Sequence, residues 1–282
     1  MNDWQLVSDS GCDLNPDNFD TGAIPFSTVP LKILVGEQEF VDLPQTDPHE
    51  MLAAMKNFTG ASSSSCPSPH AFSEQFLKAA HTIAVTITSG LSGSYNSAVQ
   101  AMNMVLEEHP EKKIHVVDSR AAAGSMVLIV RQLQSLIEKG LPFEEIVRQI
   151  ESYRDATALL FSLATFDNLV KNGRMSRAAA VLASALNIRA VATRTAEGII
   201  KIVEKPRGEK RAIERMVALM GHYKDMTGKP VVITHCRNPN AAKTMCDLIK
   251  STYGTKDSDI TVLECACLTA FYAGDKGLLL SF

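Results

Sequence analysis

The sequence has little of what marks out several large protein classes. No apolar run approaches the roughly 18 residues that a membrane-spanning helix needs. Lys plus Arg total 28 against 31 Asp plus Glu, a net charge of -3, so no basic excess offers a nucleic-acid surface. No Lys/Arg cluster suits an anionic membrane. Met1-Asn2-Asp3-Trp4 shows no basic stretch leading into an apolar run, so no secretory leader and a cytoplasmic location are expected. The six cysteines (Cys12, Cys66, Cys236, Cys246, Cys265 and Cys267) contain no C-x-x-C pair, so free thiols are expected rather than disulfides. Cys265-Ala266-Cys267 invites a metal reading. Two ligands one residue apart need further ligands, and no His pair sits nearby, so no metal site is expected. There is no P-loop, and no G-x-G-x-x-G follows a strand. No cofactor is expected.

What remains is a globular balance: 45% hydrophobic and 21% charged over 282 residues. That length exceeds one ordinary core and suggests two domains. In the first half, β-branched runs alternate with helical patterns. Strands are expected at Trp4 to Val7, Ser27 to Leu34, His81 to Thr88 and Ile114 to Val117. Helices are expected at Asp47 to Asn57, Pro69 to Ala80, Ser94 to Glu108 and Ala121 to Lys139. Asp47-Pro48 and Ser68-Pro69 place a capping residue before a proline at the first helical position. Gly140 closes the long helix and Pro142 opens the next. Strand-helix alternation predicts a mostly parallel sheet with helices on both faces, a three-layer α/β/α domain over residues 1–165. Beyond it the pattern mixes a hairpin at Asn187 to Lys205, turning at Glu197-Gly198, with helices and further strands. Residues 166–282 therefore read as an α+β domain.

In open α/β sheets, ligands sit beyond the carboxyl ends of strands. Three such ends here are rich in hydroxyls: Ser8-Asp9-Ser10-Gly11, Thr88-Ser89-Gly90-Leu91-Ser92-Gly93-Ser94-Tyr95, and Asp118-Ser119. A further loop, Ser62 to Ser68, adds more. Ser92 lies between Gly90 and Gly93 at a helix start, where free N–H groups favour an anion. Helix capping is the competing reading, and both stand at this point. Gly90-Leu91-Ser92-Gly93-Ser94 also resembles a nucleophile elbow, but G-x-S-x-G needs Gly where Ser94 stands. A serine esterase using Ser92 is kept as the alternative from another class. In Asn172-Gly173-Arg174-Met175-Ser176, a turn precedes an apolar helix expected over Arg177 to Leu186. An Arg at that junction can reach into an interdomain cleft and hold a carboxylate with its fork. A solvated surface Arg is the competing reading.

Taken in order, these pieces resemble the DegV family across essentially the whole chain. Ser8-Asp9-Ser10 with Asp13-Leu14 is similar to the family's D-S-x-x-D-L, and Ser64-Ser65-Cys66-Pro67-Ser68 to its T-S-Q-P-S. Ser89-Gly90-Leu91-Ser92-Gly93-Ser94-Tyr95-Asn96-Ser97-Ala98 resembles S-G-L-S-G-T-Y-Q-S-A, the most specific of the set. Val117-Asp118-Ser119 and Asn172 to Ser176 resemble I-D-S and G-G-R-I-S. The resemblance implies a carrier rather than an enzyme, binding a long-chain fatty acid between two domains. It implies a carboxylate site at Ser64 and Ser92, with Ser65 and Gly93 beside them and Arg174 near the head group. It implies a partner, a dihydroxyacetone-kinase-like fatty acid kinase, facing Arg207. The family's H-T-G-P-G-x-x-G corresponds to Thr269 to Gly277, where the His is absent. Tyr272 or Lys276 then stands as the candidate polar group, and a carrier without kinase coupling is a further alternative. A monomer is expected. Ala121 to Val130, Phe161 to Phe166 and Ala178 to Leu186 are candidate tunnel walls, with Met102, Met104 and Met126 as adaptable contacts.

Overall fold

The computed structural model describes residues 2–14, 19, 22, 24–178 and 187–282. β1 (Asn2–Asp9) pairs in parallel with β2 (Phe26–Val29) on one side and β6 (Ala79–Thr86) on the other. β7 (Lys113–Asp118) pairs in parallel with β6, giving the order β2-β1-β6-β7. Side chains alternate across a strand, and the buried residues divide accordingly. Leu6, Ile83, Val85 and Val117 face α4 (Gly124–Glu138) and α5 (Phe143–Ala156). Val7, Ala84 and Val116 face α2 (Pro69–Phe76) and α3 (Ser94–Glu108). These are the three layers expected from the sequence.

The predicted strand over Ser27 to Leu34 is two strands. Pro30 has no N–H to donate to a ladder, and the chain leaves the parallel sheet there. β3 (Lys32–Val35) joins a small antiparallel sheet, β4-β3-β5, with β4 at Gln38–Val41 and β5 at Ser62–Ser65. The serine run, read as a loop, is thus a strand. Its side chains alternate, with Ser62 and Ser64 inward and Ser63 and Ser65 exposed. α1 (Pro48–Asn57) links β4 to β5; the Asp47 carboxylate accepts from His49 N at 2.8 Å, the cap its Asp-Pro start predicts.

The second large sheet has the order β10-β9-β8-β13-β11-β12. Its strands are β8 (Leu159–Ser162), β9 (Val191–Arg194), β10 (Ile200–Glu204), β11 (Val231–His235), β12 (Ile260–Glu264) and β13 (Leu278–Ser281). Only β11 and β12 run parallel. β8, which precedes residue 165, pairs with β13 and β9 of this sheet. On one face, Leu160, Ile233 and Leu280 pack against α7 (Glu209–Tyr223) and α8 (Pro239–Tyr253). On the other, Phe161, Ala192 and Leu279 meet the small sheet and α9 (Cys267–Ala273). α6 (Asp167–Lys171) leads into the Asn172-Gly173 turn. The helix expected over Arg177 to Leu186 falls largely on 179–186, outside the described residues.

α4 packs against both large sheets. Its N-terminus approaches β11 so closely that a Cβ on Gly124 would lie 2.8 Å from Val232. Ser125 Oγ donates to Ser281 Oγ at 3.1 Å, tying the same turn to β13. Among the described residues, no helix is long and apolar enough to cross a membrane, and no group of three or more His, Cys, Asp and Glu could hold a metal ion.

Candidate functional site

The chain leaving β6 is pinned from both neighbouring strands. Asp9, at the end of β1, accepts from Gly11 N at 3.0 Å and Ile87 N at 2.9 Å. Asp118, at the end of β7, accepts from Ser89 N at 3.0 Å and from Ser89 Oγ at 2.5 Å. Leu91 N and Ser92 N both donate to Thr88 O at 3.1 Å. The loop therefore enters α3 in a set path, with Gly93 at the cap position and no side-chain cap there. Ser92 Oγ instead accepts from Ser94 N at 3.2 Å, one residue into the helix. The hydroxyl serves the helix start while lining the cavity described below, so the two readings of Ser92 are compatible. A Cβ on Gly93 would lie 3.0 Å from Cys66 Sγ, so glycine allows the β5 end and the α3 start to meet.

Arg174 arrives from the second half of the chain. The turn Asn172-Gly173, with Gly173 at φ +74°, reverses the chain after α6. Asn172 Nδ2 donates to Ser62 O at 3.2 Å, which ties the turn to β5. Arg174 Nε donates to Leu91 O at 3.0 Å, and Nη1 donates to Asn172 O. Two of its five donors thus anchor the guanidinium beside the Ser92 loop. Tyr272, on α9, shares a hydrogen bond with Ser64 Oγ at 2.7 Å.

These residues surround one cavity of about 300 Å³ between the parallel sheet, the small sheet and the six-stranded sheet. Ser64, Ser65, Ser92, Gly93, Arg174 and Tyr272 all line it. The remaining wall is largely apolar, with Leu31, Ile87, Leu159, Phe161, Leu163 and Leu279 among its residues. Ala121 and Ala122 line it, but Met126 to Val130 of the expected Ala121 to Val130 wall turn into the core under the parallel sheet. None of the three methionines lines it: Met102 packs beside α2, Met104 is exposed, and Met126 is buried against β6. Lys276 and Arg207 also lie outside it; Arg207 is exposed, two residues before α7. No histidine is among the cavity-lining residues, so Ser92 has no imidazole base beside it there.

Thr88 and Thr269, which fall in segments the sequence singled out without being chosen as site residues, also line the cavity, as does Arg194, which sequence reasoning missed. Arg194 sits at the end of β9, and its Nη2 donates to Thr157 O at 2.7 Å. Nothing in a short hairpin strand marks that position from sequence.

Three buried aspartates border the site. Burial pushes Asp9 up to about 7, Asp13 to about 7 and Asp42 to about 6, while the hydrogen bonds each accepts pull the other way. A carboxyl whose native pKa lies above its unfolded value of 3.8 holds its proton longer when folded. Its contribution to stability is full below that value and falls as pH rises toward the native pKa. The cost of Asp9→Asn should therefore shrink between pH 5 and pH 8, by on the order of 3 kcal/mol for the two units up to 7. Urea unfolding of both proteins at the two pH values measures this. A cost that grows with pH contradicts it.

The fold and cavity define a three-sheet α/β protein whose largely apolar pocket carries hydroxyls and two guanidinium groups in its wall. The family model described as uncharacterised protein, DegV family, matches residues 3–281. A DegV domain-containing protein of Streptococcus pyogenes serotype M1 is 40% identical over 279 residues, 99% of each chain. The Streptococcus pneumoniae Fatty Acid Kinase (Fak) B3 protein, solved loaded with linoleic acid, superposes with a TM-score of 0.94 at 38% identity, covering 99% of both chains. A DegV family protein from Eubacterium eligens, solved with heptadecanoic acid, gives 0.92 at 37% identity over 99% of this chain and 98% of that one. The chain belongs to the DegV family.

Proposed function

We propose that this protein binds a long-chain fatty acid, with the tail in the cavity and the carboxylate at the hydroxyl cluster. The carrying observation is the convergence of Ser64, Ser65, Ser92, Arg174 and Tyr272, from distant parts of the chain, on one largely apolar cavity. Two relatives solved with linoleic and heptadecanoic acid support the ligand class. Each buried methylene contributes about 0.8 kcal/mol, so a sixteen-carbon tail gains roughly 10 kcal/mol before ordering costs. A buried carboxylate must be compensated. Ser92 and the hydrogen-bonded Ser64–Tyr272 pair supply hydroxyls, with one O–H of the pair free to donate; Gly93 offers a backbone at a helix start, Ser65 a further hydroxyl at the mouth, and Arg174 the opposite charge. Tyr272 takes the place of the His that the family pattern leads one to expect.

Ser92→Ala and Arg174→Ala should each weaken binding of hexadecanoic acid about tenfold or more, since hydrogen bonds to a charged group contribute about 1.5–3 kcal/mol. Isothermal titration checks this, and unchanged affinity in both variants removes the head-group assignment.

The carrier acts as a monomer in the cytoplasm and hands its acid to a fatty acid kinase, with Arg207 on the docking face. The two units meet around the cavity, and the sheet pairing favours a division near Thr157. Loaded protein, kinase and ATP should yield acyl phosphate, and Arg207→Ala should slow it. A kinase active on another carrier but silent on this one makes it a carrier without kinase coupling.

A further inference from the structure

The small sheet grips α9 at both ends. Asp42, the residue after β4, accepts from Cys267 N at 2.8 Å through Oδ1 and from Leu268 N at 3.1 Å through Oδ2. Asp13 Oδ1 accepts from Ala266 N at 3.0 Å, just outside the same helix. At the far end, Tyr272 meets Ser64 of β5. β3 joins these two holds, pairing with β4 along one edge and β5 along the other. Leu268, Thr269, Tyr272 and Ala273 share the helix face that lines the cavity. One residue of helical rotation is about 100°, so a slip at the N-terminus would carry Tyr272 away from Ser64.

Both carboxyls are deeply buried, Asp42 at 3% and Asp13 at 7% exposure. Among the described residues neither forms an ion pair with a Lys or Arg. Burying an acid without a cation is costly unless hydrogen bonds compensate; Asp42 takes a backbone N–H from this short segment on each of its oxygens, and Asp13 takes one through Oδ1. An apolar residue would fill the same space without that cost but could not fix those N–H groups.

We infer that Asp42, backed by Asp13, is a positioning residue for the head-group end of the cavity: it fixes the rotation and depth of α9 so that the Tyr272 hydroxyl stays against Ser64. Selectivity for an anionic head group over a neutral one of equal tail length then depends on a side chain outside the cavity lining. This rests on the reading of Ser64 and Tyr272 as head-group residues.

The test uses the full chain with two probes sharing one tail, hexadecanoic acid and hexadecanol. Wild type should bind the acid at least about tenfold more tightly. Asp42→Asn keeps the shape and should lose about tenfold for the acid, with alcohol affinity unchanged. In a Tyr272→Phe background, Asp42→Asn should add no further loss. Asp13→Asn should show the same pattern more weakly, and it carries the test if Asp42→Asn does not fold. Equal losses for acid and alcohol, no loss for either, or losses that add to that of Tyr272→Phe overturn the inference while leaving the head-group reading intact. A wild type that binds both probes equally overturns the head-group reading and the inference with it.

Discussion

Ala121→Phe is expected to abolish fatty-acid binding while leaving the fold in place. Ala121 follows β7, is 2% exposed, and lines the cavity beside Leu159 and Phe161. Its backbone is fixed, with N donating to Ser119 Oγ at 3.1 Å and O accepting from Thr88 N at 2.9 Å. A benzyl group there would extend into the cavity that Ala121 lines. That space is where the tail would lie. Displacing four methylenes forfeits about 3 kcal/mol at about 0.8 each, more than a hundredfold in affinity. Titration with hexadecanoic acid should show no measurable binding, and thermal unfolding should stay within a few degrees of wild type. Retained affinity places the tail elsewhere.

Gly198→Ala should be the most destabilising single-methyl change in the chain. Gly198 closes the β9-β10 turn at φ +76°, a region costly for any residue with a Cβ. The added carbon would lie 2.0 Å from Thr88 Oγ1, 2.9 Å from Thr88 Cβ and 3.0 Å from Arg120 Cα. The hairpin tip of the six-stranded sheet therefore rests directly on the strand-end loops of the parallel sheet. Backbone strain and the clash together should cost about 3 kcal/mol or more. For a chain of this size that lowers Tm by roughly 6–12 °C. Because Gly198 and Ile200 also line the cavity, ligand binding should weaken as well. Adding Thr88→Ala removes the nearest atom and should recover part of the loss. A Tm within a degree of wild type shows that the hairpin does not bear on the loop.

The sequence exposed the parallel sheet because its strands are continuous β-branched runs and its helices carry local caps. Asp47-Pro48, Ser68-Pro69 and Gly140 signal their boundaries through bonds made within a few residues. The small sheet stayed hidden for the opposite reason. Ser62–Ser65 has no hydrophobic alternation, and it is a strand only because β3 offers a partner 30 residues away. β8 had no counterpart in the sequence reading because four buried residues, Leu159–Ser162, carry no sign of which sheet they complete. The site was partly legible. Ser64, Ser92, Arg174 and Tyr272 fall in segments whose order resembles the family's, and the fold brings them to one cavity. What could not be read is what holds them: Asp42 acts on Cys267 and Leu268 across more than two hundred residues. Arg194 has no local signature either, since its role in the wall depends on where a hairpin lands.

Native mass spectrometry of the purified chain, after incubation with hexadecanoic and octadecenoic acids and removal of excess, tests the account most directly. One fatty acid should remain bound per chain in wild type, and none in Ala121→Phe. A wild-type spectrum showing only the bare chain, or a ligand equally retained by the plugged variant, contradicts it.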